Sequence, residues 1–239
     1  MKIKNLIRDL LINLHIDINK GIKYDRLTYE IIKKLLKTNS NCIDVGCHEG
    51  DILKLFMKYA PLGNHYAFEP LPHLYERLLN KYHNITILPY AISDYNGKAT
   101  FQFVKNAPAY SGIRKRRYDI DNPIIEQIIV EIKTLDSIIP ENQELHFIKI
   151  DVEGGEFAVL KGAIKTLSRS KPAILFEAGV GASDFYGTKP IDLYDLLCKQ
   201  LGYKIYTLAA FLNNSSNLYY QEFEYLFNTA EEYYYIAVH

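Results

Sequence analysis

The sequence has no tryptophan, only two methionines and three cysteines, and no excess of either charge. Cys42, Cys47 and Cys198 match neither a disulfide framework nor the paired spacing of a zinc site, so we expect free thiols and no bound metal. The 28 basic and 28 acidic residues balance to a formal charge of zero. Because proteins that bind the nucleic-acid backbone usually carry a basic surplus, we expect no nucleic-acid partner.

A long uncharged apolar run is also missing. The stretch 1–18 is apolar in places, but Lys4, Arg8 and Asp9 interrupt it. A signal peptide needs an uncharged apolar core, and a membrane-spanning helix needs about 20 mostly apolar residues. We therefore expect neither of them, no stable membrane insertion, and a cytoplasmic protein whose free thiols suit a reducing compartment.

Short apolar segments alternate with stripes of helical spacing along most of the chain. The patterns predict strands at 42–45, 65–68, 85–88, 146–150, 173–176, 203–207 and 233–238, and helices from about 51, over 71–79, over 156–168 and over 190–201. Strands that alternate with helices form parallel sheets with right-handed crossovers. The sequence therefore predicts an α/β fold of Rossmann type, with helices on both faces of a mostly parallel sheet.

Two segments differ from this alternation. Residues 1–38 have helical spacing and are predicted to form an N-terminal helical cap on the main domain, 39–239. Segment 97–133 contains two predicted strands, 100–104 and 128–132, around a polar loop. We interpret it as an insertion that helps to shape the binding site.

The turn after the first predicted strand contains Gly46 and Gly50. In doubly wound sheets this turn lies at the crevice where nucleotides bind, and a residue without Cβ allows a ligand to approach the backbone closely. A bulky side chain at Gly46 is therefore expected to fill ligand space. The spacing lacks the middle glycine of a dinucleotide fingerprint, and no P-loop lysine follows. Glu69 ends the second strand, 25 residues after Asp44, where an acid can accept hydrogen bonds from ribose hydroxyls.

Four segments together resemble the FkbM-type methyltransferase family. They are Asp44 to Gly50, Phe68-Glu69-Pro70, Ile148 to Gly154, and Pro172 through Glu177, in this order within about residues 40–180. The resemblance implies the class I methyltransferase fold with a seven-stranded sheet, S-adenosylmethionine as cofactor, and O-methylation as the usual reaction. Acceptors in the family are typically hydroxyls of sugars, glycans or secondary metabolites.

By position in this resemblance, Asp44, Gly46 and Gly50 would line the methionine part of the cofactor, and Glu69 would hold the ribose. Ser93 and Asp94, after the third predicted strand, would lie near the adenine. The chain has Cys47-His48 where Ala-Asn is common in the family, although His48 can still donate a hydrogen bond to the cofactor.

Charged residues follow two apolar strands of the predicted sheet: Lys149, Asp151, Glu153, Glu156 and Glu177. A hydroxyl that accepts a methyl group must lose its proton, so a base is expected within hydrogen-bond reach. We predict that Asp151, which Lys149 would keep ionised, orients or deprotonates the acceptor, with Glu153 and His48 as alternatives. Helix capping explains Glu156 equally well. Four carboxylates could also hold a cation, but no ligand spacing supports a metal.

The run Arg114-Lys115-Arg116-Arg117 lies in the predicted insertion. Such a run is usually a solvated surface, and the alternative is a clamp for an acceptor that is phosphorylated or nucleotide-linked. Two other function classes stay open beside the methyltransferase: a nicotinamide-dependent oxidoreductase, which the missing glycine disfavours, and a non-catalytic nucleoside-binding relative. The sequence names neither the acceptor nor the oligomeric state.

Overall fold

A computed structural model describes residues 17–239. The elements in chain order are α1 (Lys20–Leu35), β1 (Cys42–Val45), α2 (Asp51–Tyr59), β2 (Tyr66–Phe68), α3 (Pro72–Lys81), β3 (Thr86–Leu88), β4 (Tyr90–Ile92), β5 (Gly97–Val104), β6 (Ile125–Lys133), α4 (Leu135–Ile138), β7 (Phe147–Ile150), α5 (Glu156–Lys161), α6 (Ile164–Ser170), β8 (Ala173–Glu177), α7 (Pro190–Tyr194), β9 (Lys204–Thr207), α8 (Leu208–Leu212), α9 (Tyr220–Thr229) and β10 (Tyr234–Val238). None of the helices within residues 17–239 is both long and apolar enough to cross a membrane.

The main sheet has seven strands in the order β3-β2-β1-β7-β8-β10-β9. The first five strands of this order are parallel, and β10 runs antiparallel to both β8 and β9. The central strands β1 and β7 are buried along their whole length, which explains why they are continuous apolar runs rather than alternating ones. The predicted Rossmann-like fold with a mostly parallel seven-stranded sheet is confirmed.

Helices cover both faces of the sheet, each through an apolar stripe. On one face α1 and α2 contribute Ile31, Ile32 and Phe56, which are fully buried. On the other face α5, α6 and α9 contribute Leu160, Leu167 and Phe223. Burying each such side chain stabilises the fold by about 1.5–3 kcal/mol, so these stripes fix the helices against the sheet.

Segment 97–133 forms part of a second, three-stranded sheet in the order β4-β6-β5. The predicted strands 100–104 and 128–132 are confirmed within the longer β5 and β6. Strand β4 was not predicted, because its three residues follow β3 after a single residue and read as part of the same apolar run. It pairs parallel with β6 and thereby attaches the second sheet to the end of β3.

Several helices differ from the predicted ones. The predicted helix 156–168 is two helices, α5 and α6, because the chain bends at Gly162. An added Cβ at Gly162 would lie 2.1 Å from the carbonyl oxygen of Ser93. The predicted helix 190–201 begins as α7 and continues as a π-helical turn over Asp195–Gln200. In the predicted cap, α1 begins after Asn19, whose side chain accepts a hydrogen bond from the amide of Ile22. Residues 1–16 of that cap lie outside the described residues.

Candidate active site

A cavity of about 1250 Å³ opens where β1, β7 and β8 end. Ligand sites of doubly wound sheets lie at this end of the strands. The wall combines the β1–α2 turn, the end of β2, the β4–β5 turn and the β7–α5 loop, with α1 and segment 97–133 at its sides. Nine residues predicted from the sequence line it: Gly46, Cys47, His48, Glu69, Ser93, Asp94, Lys149, Asp151 and Glu153.

Gly46 lies where the β1–α2 turn passes directly beside the end of β7. Its φ of 79° is in the left-handed region, and an added Cβ would lie 2.0 Å from the carbonyl oxygen of Asp151. The amides of Gly46 and Cys47 both donate to the carbonyl of Phe68 at 3.1 Å. Gly46 lines the cavity, and its missing side chain has a further reason: a Cβ here would collide with the backbone of Asp151. Its predicted contact with a ligand stays a prediction.

Two other predicted cofactor contacts, Asp44 and Gly50, are not among the residues that line the cavity. Asp44 is fully buried in the middle of the sheet. Gly50 precedes α2, and a Cβ there would approach the side chains of Leu78 and Tyr82 at 2.7 and 2.8 Å. Gly50 thus permits the packing of α2 against α3, which corrects its predicted role as part of the cofactor wall.

The two residues that depart from the family pattern have different properties. Cys47 is 4% exposed, and burial raises the pKa of its thiol well above the ordinary value, so it is no nucleophile. His48 has a φ of 46°, a strained conformation for a residue other than glycine. Burial lowers the pKa of His48, so its imidazole is neutral at pH 7 and can accept a proton.

Glu69 connects the first turn to the second strand. Its carboxylate accepts hydrogen bonds from the amide of His48 at 2.8 Å and from the amide of Leu71 at 3.0 Å, one at each oxygen. The side chain faces the cavity although the residue is only 4% exposed. Burial raises the pKa of Glu69 to about 7 despite these two amide donors. Each oxygen retains a lone pair for a further donor.

Ser93 and Asp94 follow β4 rather than β3, and they reach the cavity from the β4–β5 turn. The Ser93 hydroxyl donates to Asp94 at 3.3 Å, and Asp94 forms an ion pair with Lys161 of α5 at 2.5 Å. The missing side chain at Gly162 allows this turn to lie against the end of α5. The bend between α5 and α6 therefore positions this part of the wall.

Lys149 lies between two carboxylates at the ends of β1 and β7. Its ammonium is 3.0 Å from Asp151 and 3.8 Å from Asp44, the residue paired with it in the sheet register. The hydroxyl of Tyr234 on β10 donates to the same Asp151 oxygen at 2.6 Å. Burial opposes the ionisation of Asp151, but Lys149 and Tyr234 outweigh it and hold the pKa of Asp151 below its ordinary value. The predicted pairing of Lys149 with Asp151 is present.

Asp44 is the least compensated charge in this group. Both of its carboxylate oxygens are buried without a hydrogen-bond partner, and Lys149 is its neighbouring cation. Burial raises the pKa of Asp44 to about 6, and the nearby Lys149 acts against this rise. Burial alone would lower the pKa of Lys149, but Asp151 and Asp44 reverse this effect and keep it charged.

Glu153 and Glu177 lie beside Asp151, and the carboxylate oxygens of all three lie within 4.8 Å of one another. Glu153 has a φ of 62° and pairs with Arg116, whose guanidinium is only 11% exposed. Three carboxylates at this distance suit a cation, but Arg116 and Lys149 already neutralise two of them. We therefore assign no metal to this group.

Glu156 shapes the β7–α5 loop. Its carboxylate accepts from the amides of Val152 and Gly154 at 2.9 and 3.1 Å, and the residue is 1% exposed. Burial raises the pKa of Glu156 to about 7. These contacts favour the capping interpretation of Glu156 and explain how the loop holds Glu153 in its strained conformation.

The basic run divides into two parts. Arg116 points inward to Glu153, whereas Arg114 and Arg117 are exposed residues at the cavity rim. The guanidinium of Arg114 lies over the ring of Tyr186, 5.6 Å from its centroid, and Arg117 donates to Asp119 at 3.1 Å. The run is therefore neither a fully solvated surface nor a clamp of four free cations.

Sequence reasoning missed three side chains of the site: Arg116 as the partner of Glu153, Tyr234 and Tyr186. Tyr234 lies in the run Tyr233-Tyr234-Tyr235, where strand alternation shows only that one tyrosine must face away from its neighbours. Its contact with Asp151 depends on β10 entering the sheet antiparallel beside β8, which pairs Tyr234 with Glu177. No local pattern in the sequence indicates that pairing.

Comparison with known proteins agrees with this architecture. Residues 44–205 match the family described as the methyltransferase FkbM domain, so the chain belongs to this family. A curated relative, the 2-O-methyltransferase NoeI of Sinorhizobium fredii, is 24% identical over an alignment that covers 59% of this chain. The alignment spans 65% of that relative, slightly less than two thirds of its length.

Among solved structures, a methyltransferase FkbM from Methylobacillus flagellatus superposes with a TM-score of 0.50. It is 16% identical in sequence, and the match covers 84% of this chain and 54% of that one. At this identity the likeness supports the fold alone.

Replacement of Lys149 by methionine tests the buried charge group. We expect Lys149→Met to lower the free energy of unfolding by about 3–5 kcal/mol near pH 8, because it leaves buried carboxylates without their cation. This loss in the free energy of unfolding should be smaller near pH 5. Asp44, whose pKa is about 6, is then protonated and needs no cation. Denaturant titration at both pH values measures the two deficits.

The matched control is Lys161→Met, which removes the partly exposed ion pair with Asp94 and should cost at most about 1 kcal/mol. Equal stability of Lys149→Met and the parent protein at pH 8 would show that the buried group is not held together by charge.

Proposed function

We propose that this chain is an S-adenosylmethionine-dependent O-methyltransferase that acts on a hydroxyl of a sugar, glycan or secondary metabolite. The observation that carries the proposal is the placement of Glu69 and Asp151 on one cavity, on either side of the Gly46 turn. Membership of the FkbM family and the name of the 2-O-methyltransferase relative support the same reaction.

The residues of the site suit a nucleoside that carries a sulfonium. Glu69 has a spare lone pair on each oxygen for the two ribose hydroxyls. Ser93 and Asp94 line the same cavity as Glu69, and we place the adenine beside them. When bound, S-adenosylmethionine supplies a methyl group on a positively charged sulfur. The carboxylate of Asp151, which also lines the cavity, offers the negative charge that such a group needs.

The cavity also has room for an acceptor. Ligand pockets typically measure about 300–1,000 Å³, and the cavity volume of about 1250 Å³ exceeds that range. Tyr110, Tyr186 and three arginines of the basic run, Arg114, Arg116 and Arg117, also line the cavity, and Arg116 contacts Glu153 beside Asp151. We place the acceptor there, with Arg114 and Arg117 available to bind a phosphate or carboxylate on a phosphorylated or nucleotide-linked acceptor.

Asp151 is the residue that we expect to contact the acceptor hydroxyl. Methyl transfer depends on alignment of the acceptor oxygen with the reacting carbon, and Lys149 and Tyr234 hold Asp151 in one orientation. His48 stays the alternative base because it is neutral and lines the cavity. Glu153 suits this role less well, since its charge is already paired with Arg116.

Two competing functions and the cellular setting are open to test. A nicotinamide-dependent oxidoreductase would bind reduced nicotinamide with a change in fluorescence. A non-catalytic relative would bind S-adenosylmethionine without methylating any acceptor. Our proposal also includes a cytoplasmic location and no nucleic-acid partner, in line with the balanced charge of the chain.

Calorimetric titration with S-adenosylhomocysteine, the demethylated product, tests the nucleoside site. Ribose hydroxyls bind a carboxylate more strongly than a protonated carboxyl group, so affinity should rise as pH increases through about 7, the pKa of Glu69, and then level off. Glu69→Gln should weaken binding about 10- to 100-fold at pH 8 and flatten this pH dependence.

The control for this titration is Glu131→Gln, which changes an exposed carboxylate on β6 of the three-stranded sheet and should bind like the parent protein. If folded protein bound neither the product nor S-adenosylmethionine between pH 6 and 9, the proposed function would be wrong.

Replacement of Asp151 by asparagine tests the acceptor chemistry. After an acceptor is found by screening sugars and glycans with isotopically labelled methyl donor, Asp151→Asn should lower kcat about 10²- to 10⁴-fold, because a base is lost. Affinity for S-adenosylhomocysteine should stay within a few-fold of the parent value. Unchanged turnover would remove Asp151 from this role and leave His48 as the base.

A further inference from the structure

The geometry around Asp151 contains a feature that a single catalytic carboxylate does not need. Glu177, the last residue of β8, faces the same cavity, and its carboxyl group lies within 4.8 Å of that of Asp151. Two ionised carboxylates this close repel each other, which favours the protonated form of one of them.

The surrounding groups decide which carboxyl group carries this proton. Lys149 and Tyr234 both donate to Asp151 and favour its charged form. Within residues 17–239, Glu177 accepts no such pair of hydrogen bonds; burial raises its pKa well above the ordinary value, and the negative charge of Asp151 raises it further. The donors around Asp151 therefore favour the charged form there and the protonated form at Glu177.

Other charged and titratable groups face this pair from every neighbouring element. They are Asp44 on β1, His48 in the β1–α2 turn, Lys149 on β7, Glu153 on the β7–α5 loop, Glu156 on α5, Tyr233 and Tyr234 at β10, and Arg116 on segment 97–133. Lys149 and Arg116 are the cations among them, and both favour ionised carboxylates. One further positive charge at the cavity would also favour the ionised form of Glu177.

We propose that Asp151 and Glu177 share one proton, and that Glu177 releases it to solvent when a sulfonium binds beside the pair. The O–H bond of Glu177 breaks, the proton goes to the buffer, and the electron pair stays on the carboxylate. The protein thereby gains one negative charge opposite the positive sulfur. Tyr234 acts through Asp151 and is a positioning residue. The inference rests on the proposed function, because it requires this site to bind S-adenosylmethionine.

This device would distinguish the methyl donor from the product. S-adenosylmethionine and S-adenosylhomocysteine share the ribose, adenine and amino-acid groups, and only the donor has a positively charged sulfur. A unit charge about 5 Å from a carboxyl group, at an effective dielectric constant of about 20, lowers its pKa by roughly 2. Glu177 would therefore lose its proton more readily beside the donor than beside the neutral product, and its carboxylate would favour binding of the donor over the product.

Proton release on binding can be measured without any acceptor. Calorimetric titrations of the full chain at pH 7 and 8, in buffers of different ionisation enthalpy, give the number of protons released with each ligand. We expect the donor to release up to one proton more than the product. The ratio of donor affinity to product affinity should rise by up to about tenfold per pH unit while Glu177 still holds its proton. Any proton released from Glu69 is common to both ligands and cancels.

Glu177→Gln is the decisive variant, because its side-chain amide can still donate a hydrogen bond to Asp151 but has no proton to release. It should abolish the difference in proton release between donor and product, while Glu131→Gln should leave it unchanged. Tyr234→Phe removes a hydrogen-bond donor from Asp151. The difference in proton release between S-adenosylmethionine and S-adenosylhomocysteine should then persist but appear at higher pH. This variant keeps the test open if Glu177→Gln fails to fold.

The outcomes separate this inference from the function it rests on. Binding of both ligands with equal proton release would overturn the shared proton and leave the nucleoside site intact. A difference that survives in Glu177→Gln would assign the proton to another group and would also overturn it. Failure to bind either ligand would reject the proposed function itself.

Discussion

The site depends on one buried interaction, the contact of Lys149 with Asp151 and Asp44. Charges in the middle of a sheet are costly unless they are paired, and Lys149 is the cation placed between these two carboxylates. Adjacent strands of the parallel sheet bring Asp44 and Lys149 into register, so the fold itself supplies the pair. The ionised carboxylate of Asp151 at the cavity follows from this arrangement.

The rest of the wall is arranged around the end of β7, where Asp151 lies. Gly46 lets the first turn pass against the Asp151 backbone, and the same turn directs the amide of His48 to Glu69. The β1–α2 turn thus contacts both Glu69, in the proposed nucleoside site, and Asp151, in the proposed reaction centre. A change in this turn should affect both parts of the site together, because the turn contacts both Glu69 and the backbone of Asp151.

The fold could be predicted from the sequence because strands such as 42–45 and 146–150 are apolar runs between helical stripes, and this pattern needs only local information. The same reasoning placed Glu69, Lys149 and Asp151 at strand ends. It failed where contacts join distant segments. Strand β4 was hidden in a continuous apolar run, and the pairings of Tyr234 with Asp151 and of Arg116 with Glu153 depend on how β10 and segment 97–133 meet the central strands. Gly50 and Asp44 match the family pattern in residue type. In the structure, however, Gly50 permits the packing of α2 against α3, and Asp44 is buried in the sheet.

A crystal structure of the full chain with S-adenosylhomocysteine bound tests the central claim most directly. Our account predicts that both ribose hydroxyls donate to Glu69 and that the sulfur faces Asp151, with Lys149 still in contact with that carboxylate. A nucleoside bound elsewhere on the protein, or one whose sulfur points away from the end of β7, would contradict the claim that the buried charge group at β1 and β7 organises the reaction centre.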